Sequence, residues 1–166
     1  MLERPSLCLG PWSQSADRPA RCAIVDPATQ LPLGLAQRRP MPASFWRRWF
    51  VRPTLEVLET EDEALLCMVR RLAGFRPAWE VCDADGRYVG GIRGPKIVDP
   101  FGRAVCLAAA GTGSKPLSYL TPDGLELATL SPQDDRQLLT FGPALDGNPF
   151  ARMLLLAAAL AGGVTT

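Results

Sequence analysis

At 166 residues, 47% hydrophobic and 21% charged, the chain suits one globular domain with a real core, which excludes a disordered or fibrous protein. The net charge is +1, and there is no histidine, the commonest general base and metal ligand. Charge is unevenly spread, because residues 1–52 hold eight Arg against Glu3, Asp17 and Asp26, leaving the remainder acidic.

The opening "MLERPSLCLGPW" has Glu3 where a secretion signal needs positive charge, and no sustained apolar run follows, so no such signal is expected. Residues 1–20 are read as an N-terminal segment, partly ordered at most, ahead of a single domain over 21–166. "AIVDPATQLPLGLA" from Ala23 then reads as strand, turn and returning strand. After it comes "RRPMPASFWRRWFVRP", where Arg38, Arg39, Arg47, Arg48 and Arg52 are interleaved with Trp46 and Trp49. That mixture suits a phosphate-bearing surface or a membrane interface, and a solvated edge is the structural alternative.

"LEVLETEDEALLCMV" places a turn at Glu59 to Glu63 between strand-like flanks. Three further hairpins follow: "EVCDADGRYVGGIRG" from Glu80, "KIVDPFGRAVCLAAAG" from Lys96 and "SYLTPDGLELATLS" from Ser118. Aligned on Asp83, Asp99 and Thr121, they share a glycine three residues on, at Gly86, Gly102 and Gly124. Asp or Thr can hydrogen-bond the turn backbone and Gly accepts the positive φ of a tight turn, so all three glycines are predicted at turns. "ATLSPQDDRQLLTF" adds a turn at Ser131 to Arg136. The five cysteines contain no C-x-x-C pair and read as reduced, mostly buried thiols of a cytosolic protein.

The last element is "NPFARMLLLAAALAGG". Asn148 can cap, Pro149 suits the first helical position and Gly162 or Gly163 the stop, so a helix is predicted over 148–161. No polar residue occurs from Met153 to Ala161, and such a helix must be surrounded rather than laid on a surface. It is too short to span a bilayer comfortably. About a dozen short antiparallel strands must pack as two sheets or close on themselves, and a closed barrel of about 12 strands around this helix satisfies both demands. Phe150, Met153, Leu154, Leu155, Leu156 and Leu160 are its predicted core.

Recurring D-x-x-G hairpins, as in "WEVCDADGRYVGGIRG" and "IVDPFGRAV", followed by "DDRQLLTFGPALDGNPFARMLLLAAALAG", resemble the phospholipid scramblase and LURP-one-related families over residues 21 to 162. The resemblance implies the tubby-like fold, in which a closed antiparallel barrel surrounds a C-terminal helix. It also implies a calcium site before the helix, carried onto Asp134, Asp135 and Asp146, and contact with anionic phospholipids or phosphoinositides. A cysteine cluster for palmitoylation, present in scramblases, is missing here.

No nucleophile elbow, P-loop or zinc-protease motif is present, and "GGIRGPK" and "GTGSK" lack the spacing of a nucleotide loop. The expectation is a non-enzymatic barrel, without nucleic-acid partners, that binds lipid headgroups or a membrane surface from the cytoplasm. Lipid translocation and a protein-interaction barrel are the alternatives.

Overall fold

The computed structural model describes residues 1–15, 18–39, 53–60, 64–72, 78–109 and 116–162. In chain order the strands are β1 (Ser6–Leu9), β2 (Ser13–Ser15), β3 (Arg18–Val25), β4 (Pro32–Arg38), β5 (Thr54–Glu59), β6 (Leu65–Arg71) and β7 (Ala78–Asp83). They continue with β8 (Tyr88–Arg93), β9 (Lys96–Val98), β10 (Ala104–Ala109), β11 (Leu117–Leu120), β12 (Glu126–Gln133) and β13 (Arg136–Phe141). Helix α1 (Pro149–Gly162) ends the fold.

From β2 onward each strand pairs antiparallel with the next, and β1 closes the sheet by pairing with both β13 and β3. β1 and β2 lie in succession along one edge of β3, with Leu9 opposite Ile24, the Gly10 N–H donating to the Ala23 carbonyl at 2.8 Å, and Ser13 opposite Arg21. They form one interrupted stave, so the thirteen strands build a closed barrel of twelve staves. Closure removes the exposed sheet edges that would otherwise pair with other chains.

Residues 1–20 were expected outside the barrel, and here the expectation is corrected. Leu7, Cys8 and Leu9 are buried and register with Leu139, Leu138 and Gln137, so this segment supplies the closing strand. A four-residue strand that pairs with β13, near the other end of the chain, has no local sequence signature for that pairing.

Alternation along the strands turns Cys22 and Ile24, Leu55 and Val57, Cys67 and Val69, and Trp79 and Val81 inward. The helix fills the space they enclose. Met153, Leu154, Leu155, Leu156 and Leu160 are buried as expected, with Leu155 and Leu156 fully sealed. Phe150 is the exception and is 56% exposed, although Ala151 and Arg152 beside it in the first turn are buried, so only its side of that turn stays open. The Asn148 Oδ1 accepts the Ala151 N–H at 3.0 Å, an N-cap bond. Against β8 the helix comes very close: a Cβ added to Gly90 would lie 3.0 Å from the Leu154 side chain.

The repeated hairpins share one turn. Asp83 and Asp99 each accept a backbone N–H four residues on through Oδ1 at 2.8 Å, and the Thr121 Oγ1 does the same at 2.9 Å. Gly86, Gly102 and Gly124 occupy the left-handed position with φ of 79°, 79° and 85°. The turn after β3 differs. There the Asp26 carboxylate accepts the Ala28 and Thr29 N–H groups, which hold its pKa below the usual value, and Gln30, not a glycine, takes φ 58°.

Candidate binding surface

Because every strand reverses its neighbour, the connections after β4, β6, β8, β10 and β12 lie at one end of the barrel. Those after β3, β5, β7, β9, β11 and β13 lie at the other. The ionic residues divide along the same line. The first end carries Arg38, Arg39, Arg70, Arg71, Arg93 and Lys96, with Glu56 and Glu80, whereas Arg136, next to Asp134 and Asp135, stands at the seam, where its side chain reaches Gln30 of the turn after β3. The second carries Asp26, Asp83, Asp85, Asp99, Asp123 and Asp146, with Arg4, Arg87, Arg103 and Arg152.

On the basic end the cations follow one another around a rim. Arg38 registers with Leu55 of β5, the neighbouring Thr54 with Arg70, Arg71 with Trp79, Ala78 with Arg93, and Arg93 with Lys96. Arg70, Arg71, Arg93 and Lys96 are exposed and form no ion pair among the described residues. Glu56 and Glu80 are the nearby acids, and Glu56 is already engaged by Arg39 at 2.7 Å. Helix α1 runs from the acidic end to this rim, so the partial negative charge of its C-terminus faces the cations, the favourable sense.

Of the residues singled out in sequence, Arg38 and Arg39 are placed on this rim. The Arg38 guanidinium lies 5.4 Å from the centre of the Trp12 ring, and its Nε is buried without a hydrogen-bond partner among the described residues. Trp46, Arg47, Arg48, Trp49 and Arg52 lie outside the described residues, on the segment whose two described flanks, Arg39 and Pro53, adjoin the rim. Arg70, Arg71, Arg93 and Lys96 escaped the sequence reading. They are scattered over 27 positions, and only the strand reversals bring them to one end.

The three aspartates proposed for calcium are not brought together. Asp134 and Asp135 form the β12–β13 turn, where Asp134 takes φ 53°, whereas Asp146 follows the far end of β13. There its Oδ1 accepts the Arg152 Nη2 at 2.7 Å. Among the described residues no group of three His, Cys, Asp or Glu could hold a metal ion. Arg152 is itself buried: its Nε donates to the Leu145 carbonyl and its Nη1 to the Leu2 and Arg4 carbonyls, and it lies over the Phe141 ring. It ties the N-terminal residues to the helix.

Burial raises the Cys22 thiol to about 11 and the Cys67 and Cys106 thiols to about 12, so at neutral pH these three are protonated and poor nucleophiles. All five cysteines are free. No helix among the described residues is long and apolar enough to cross a membrane.

No known protein family matches the chain. No curated protein matches it either. Among solved structures, the X-ray structure of an Arabidopsis thaliana protein, AT5G01750, is similar with a TM-score of 0.62 over 100% of this chain and 99% of that one. Sequence identity is 8%, so the likeness is one of fold alone: a closed antiparallel barrel with a C-terminal helix.

Proposed function

We propose that this protein is a non-enzymatic barrel that docks its basic rim onto an anionic membrane surface and contacts lipid headgroups there. One observation carries the reading: Arg70, Arg71, Arg93 and Lys96 lie exposed in succession on one rim and form no ion pair among the described residues, with the half-buried Arg38 beside them, while most of the acidic turns sit at the opposite end. A molecule polarised in this way is turned rim-first by a negative surface before contact. The interior is occupied by α1, which leaves outer surfaces for binding. The sequence resemblance to the scramblase and LURP-one-related families supports the same conclusion, and the Trp-containing segment 40–52 supplies the residue types that favour a bilayer interface.

Each cation near an anionic leaflet contributes about 1 kcal/mol, so Arg70→Ala/Arg71→Ala should weaken binding by roughly tenfold or more. The assay is co-sedimentation with phosphatidylserine- or phosphoinositide-containing vesicles, using phosphatidylcholine vesicles as the control. Binding should fall as salt rises. Equal binding to neutral vesicles, or no effect of the double variant, overturns the proposal, and a protein captured by the same rim instead would favour the interaction reading.

A further inference from the structure

The barrel's closing seam is imperfect. β1 leaves β13 after the pair Leu9 and Gln137, and the chain passes through Gly10, Pro11 and Trp12 before β2 rejoins β3 at Ser13 and Arg21. Where the wall is interrupted, a groove of about 570 Å³ opens on its outer face, within the ~300–1,000 Å³ typical of small-molecule sites. Its floor is apolar, formed by Pro11 and by Ala23, Val25 and Leu35, which point outward between the buried Cys22, Ile24 and Ala36. Arg21 and Arg136 also line it, and among the described residues no carboxylate does.

One of these guanidinium groups is held in place. Gln30 donates from Nε2 to the Pro27 carbonyl at 3.0 Å and accepts the Arg136 Nη1 at its Oε1 at 2.8 Å. Only this amide orientation serves both partners, since a carbonyl cannot donate and a guanidinium cannot accept. Gln30 does so from φ 58°, a conformation that costs a non-glycine residue energy and that concentrates at ligand clamps. Asp135 lies 3.9 Å from the Arg136 Nε, a weak exposed contact, and Arg21 has no ion-pair partner among the described residues.

We propose that the seam groove binds a small oxyanion carried on a short apolar body, an alkyl phosphate or its carboxylate counterpart. The head lies between Arg21 and Arg136, and the body rests on Pro11, Val25 and Leu35. Gln30 is a positioning residue for Arg136. The site is on the barrel wall and does not depend on the rim's docking to a membrane.

Isothermal titration calorimetry with octyl phosphate, inorganic phosphate and octanol tests it. Octyl phosphate should bind, inorganic phosphate at least about tenfold more weakly, and octanol not measurably, because head and body each contribute. Arg21→Ala should weaken octyl phosphate by about tenfold, the loss of one charge-assisted contact. Gln30→Gly should relieve the backbone, leaving the melting temperature unchanged or higher, yet weaken binding several-fold; a purely structural Gln30 would leave binding unmoved. Arg70→Ala/Arg71→Ala should bind octyl phosphate normally, which separates this site from the rim. Displacement of octyl phosphate by phosphatidic acid vesicles would assign the groove to a lipid headgroup, and failure to displace it to a free amphiphile. Absence of octyl phosphate binding, or wild-type affinity in both Arg21→Ala and Arg136→Ala, would refute the proposal.

Discussion

Among the described residues, Arg152 is a buried side chain with four hydrogen bonds at stake. It is buried in the first turn of α1, and its guanidinium satisfies the Leu2, Arg4 and Leu145 carbonyls while pairing with Asp146. Hydrogen bonds to a charged group contribute roughly 1.5–3 kcal/mol each, and carbonyls left unpaired on burial add a penalty. Arg152→Ala is therefore expected to destabilise by at least about 2 kcal/mol in urea denaturation and to expose residues 1–5 to proteases. Arg152→Lys should recover part of the loss through one retained donor. In the sequence, an arginine at the entrance of an apolar helix looks like a polar end left in solvent. Nothing local announces that it reaches back across 150 positions to the Leu2 carbonyl.

Among the elements, the β9–β10 hairpin shows most directly how turn chemistry sets the fold. Asp99 accepts the Arg103 N–H, and Gly102 provides the left-handed residue between them. Space is not the obstacle to a side chain there, since an added Cβ would meet nothing within 4 Å. Conformation is the obstacle. Gly102→Val should cost about 1 kcal/mol or more by chemical denaturation, whereas Gly102→Asn, which tolerates this region, should cost less. A Val variant as stable as wild type would contradict the turn assignment.

The same chemistry explains what the sequence made legible. The Asp-or-Thr-to-Gly spacing marks three hairpins by local bonding, and the unbroken apolar run from Met153 to Ala161 can be satisfied only inside a wall. β1 was missed because its pairing with β13 is entirely long-range. The basic rim was half legible: Arg38 and Arg39 stand out as a sequence cluster, but Arg70, Arg71, Arg93 and Lys96 meet only through strand reversal. Phe150 misled because an apolar residue in the first helical turn was read as core, whereas its side of that turn is left exposed.

For the whole molecule, closure is the property most exposed to test. Deleting residues 1–9 removes β1 and leaves β3 and β13 with unpaired backbone along the seam, the kind of edge that recruits other chains. Size-exclusion chromatography of that deletion should show dimers or larger aggregates together with a lowered melting temperature. A monomer melting like the full chain would mean that β1 is dispensable. The charge polarity is a property of the same scale, belonging to no single strand, and it makes rim-first contact with an anionic surface the electrostatically favoured approach.

The helix inside the barrel also has a consequence in time. All thirteen strands precede α1 in the chain, so during synthesis the wall is made before anything exists to fill it. Until Leu154, Leu155, Leu156 and Leu160 arrive, the inward faces of Cys67, Val69 and Val81 have no core to cover them, and β1 has no β13 to pair with. Folding therefore has to await α1, which follows every strand of the barrel, and then close contacts of very long sequence separation, the class of topology that folds slowly and passes through adhesive intermediates. A nascent chain halted before Asn148 would be a substrate for chaperones, and release of the helix would be the event that commits the barrel to form.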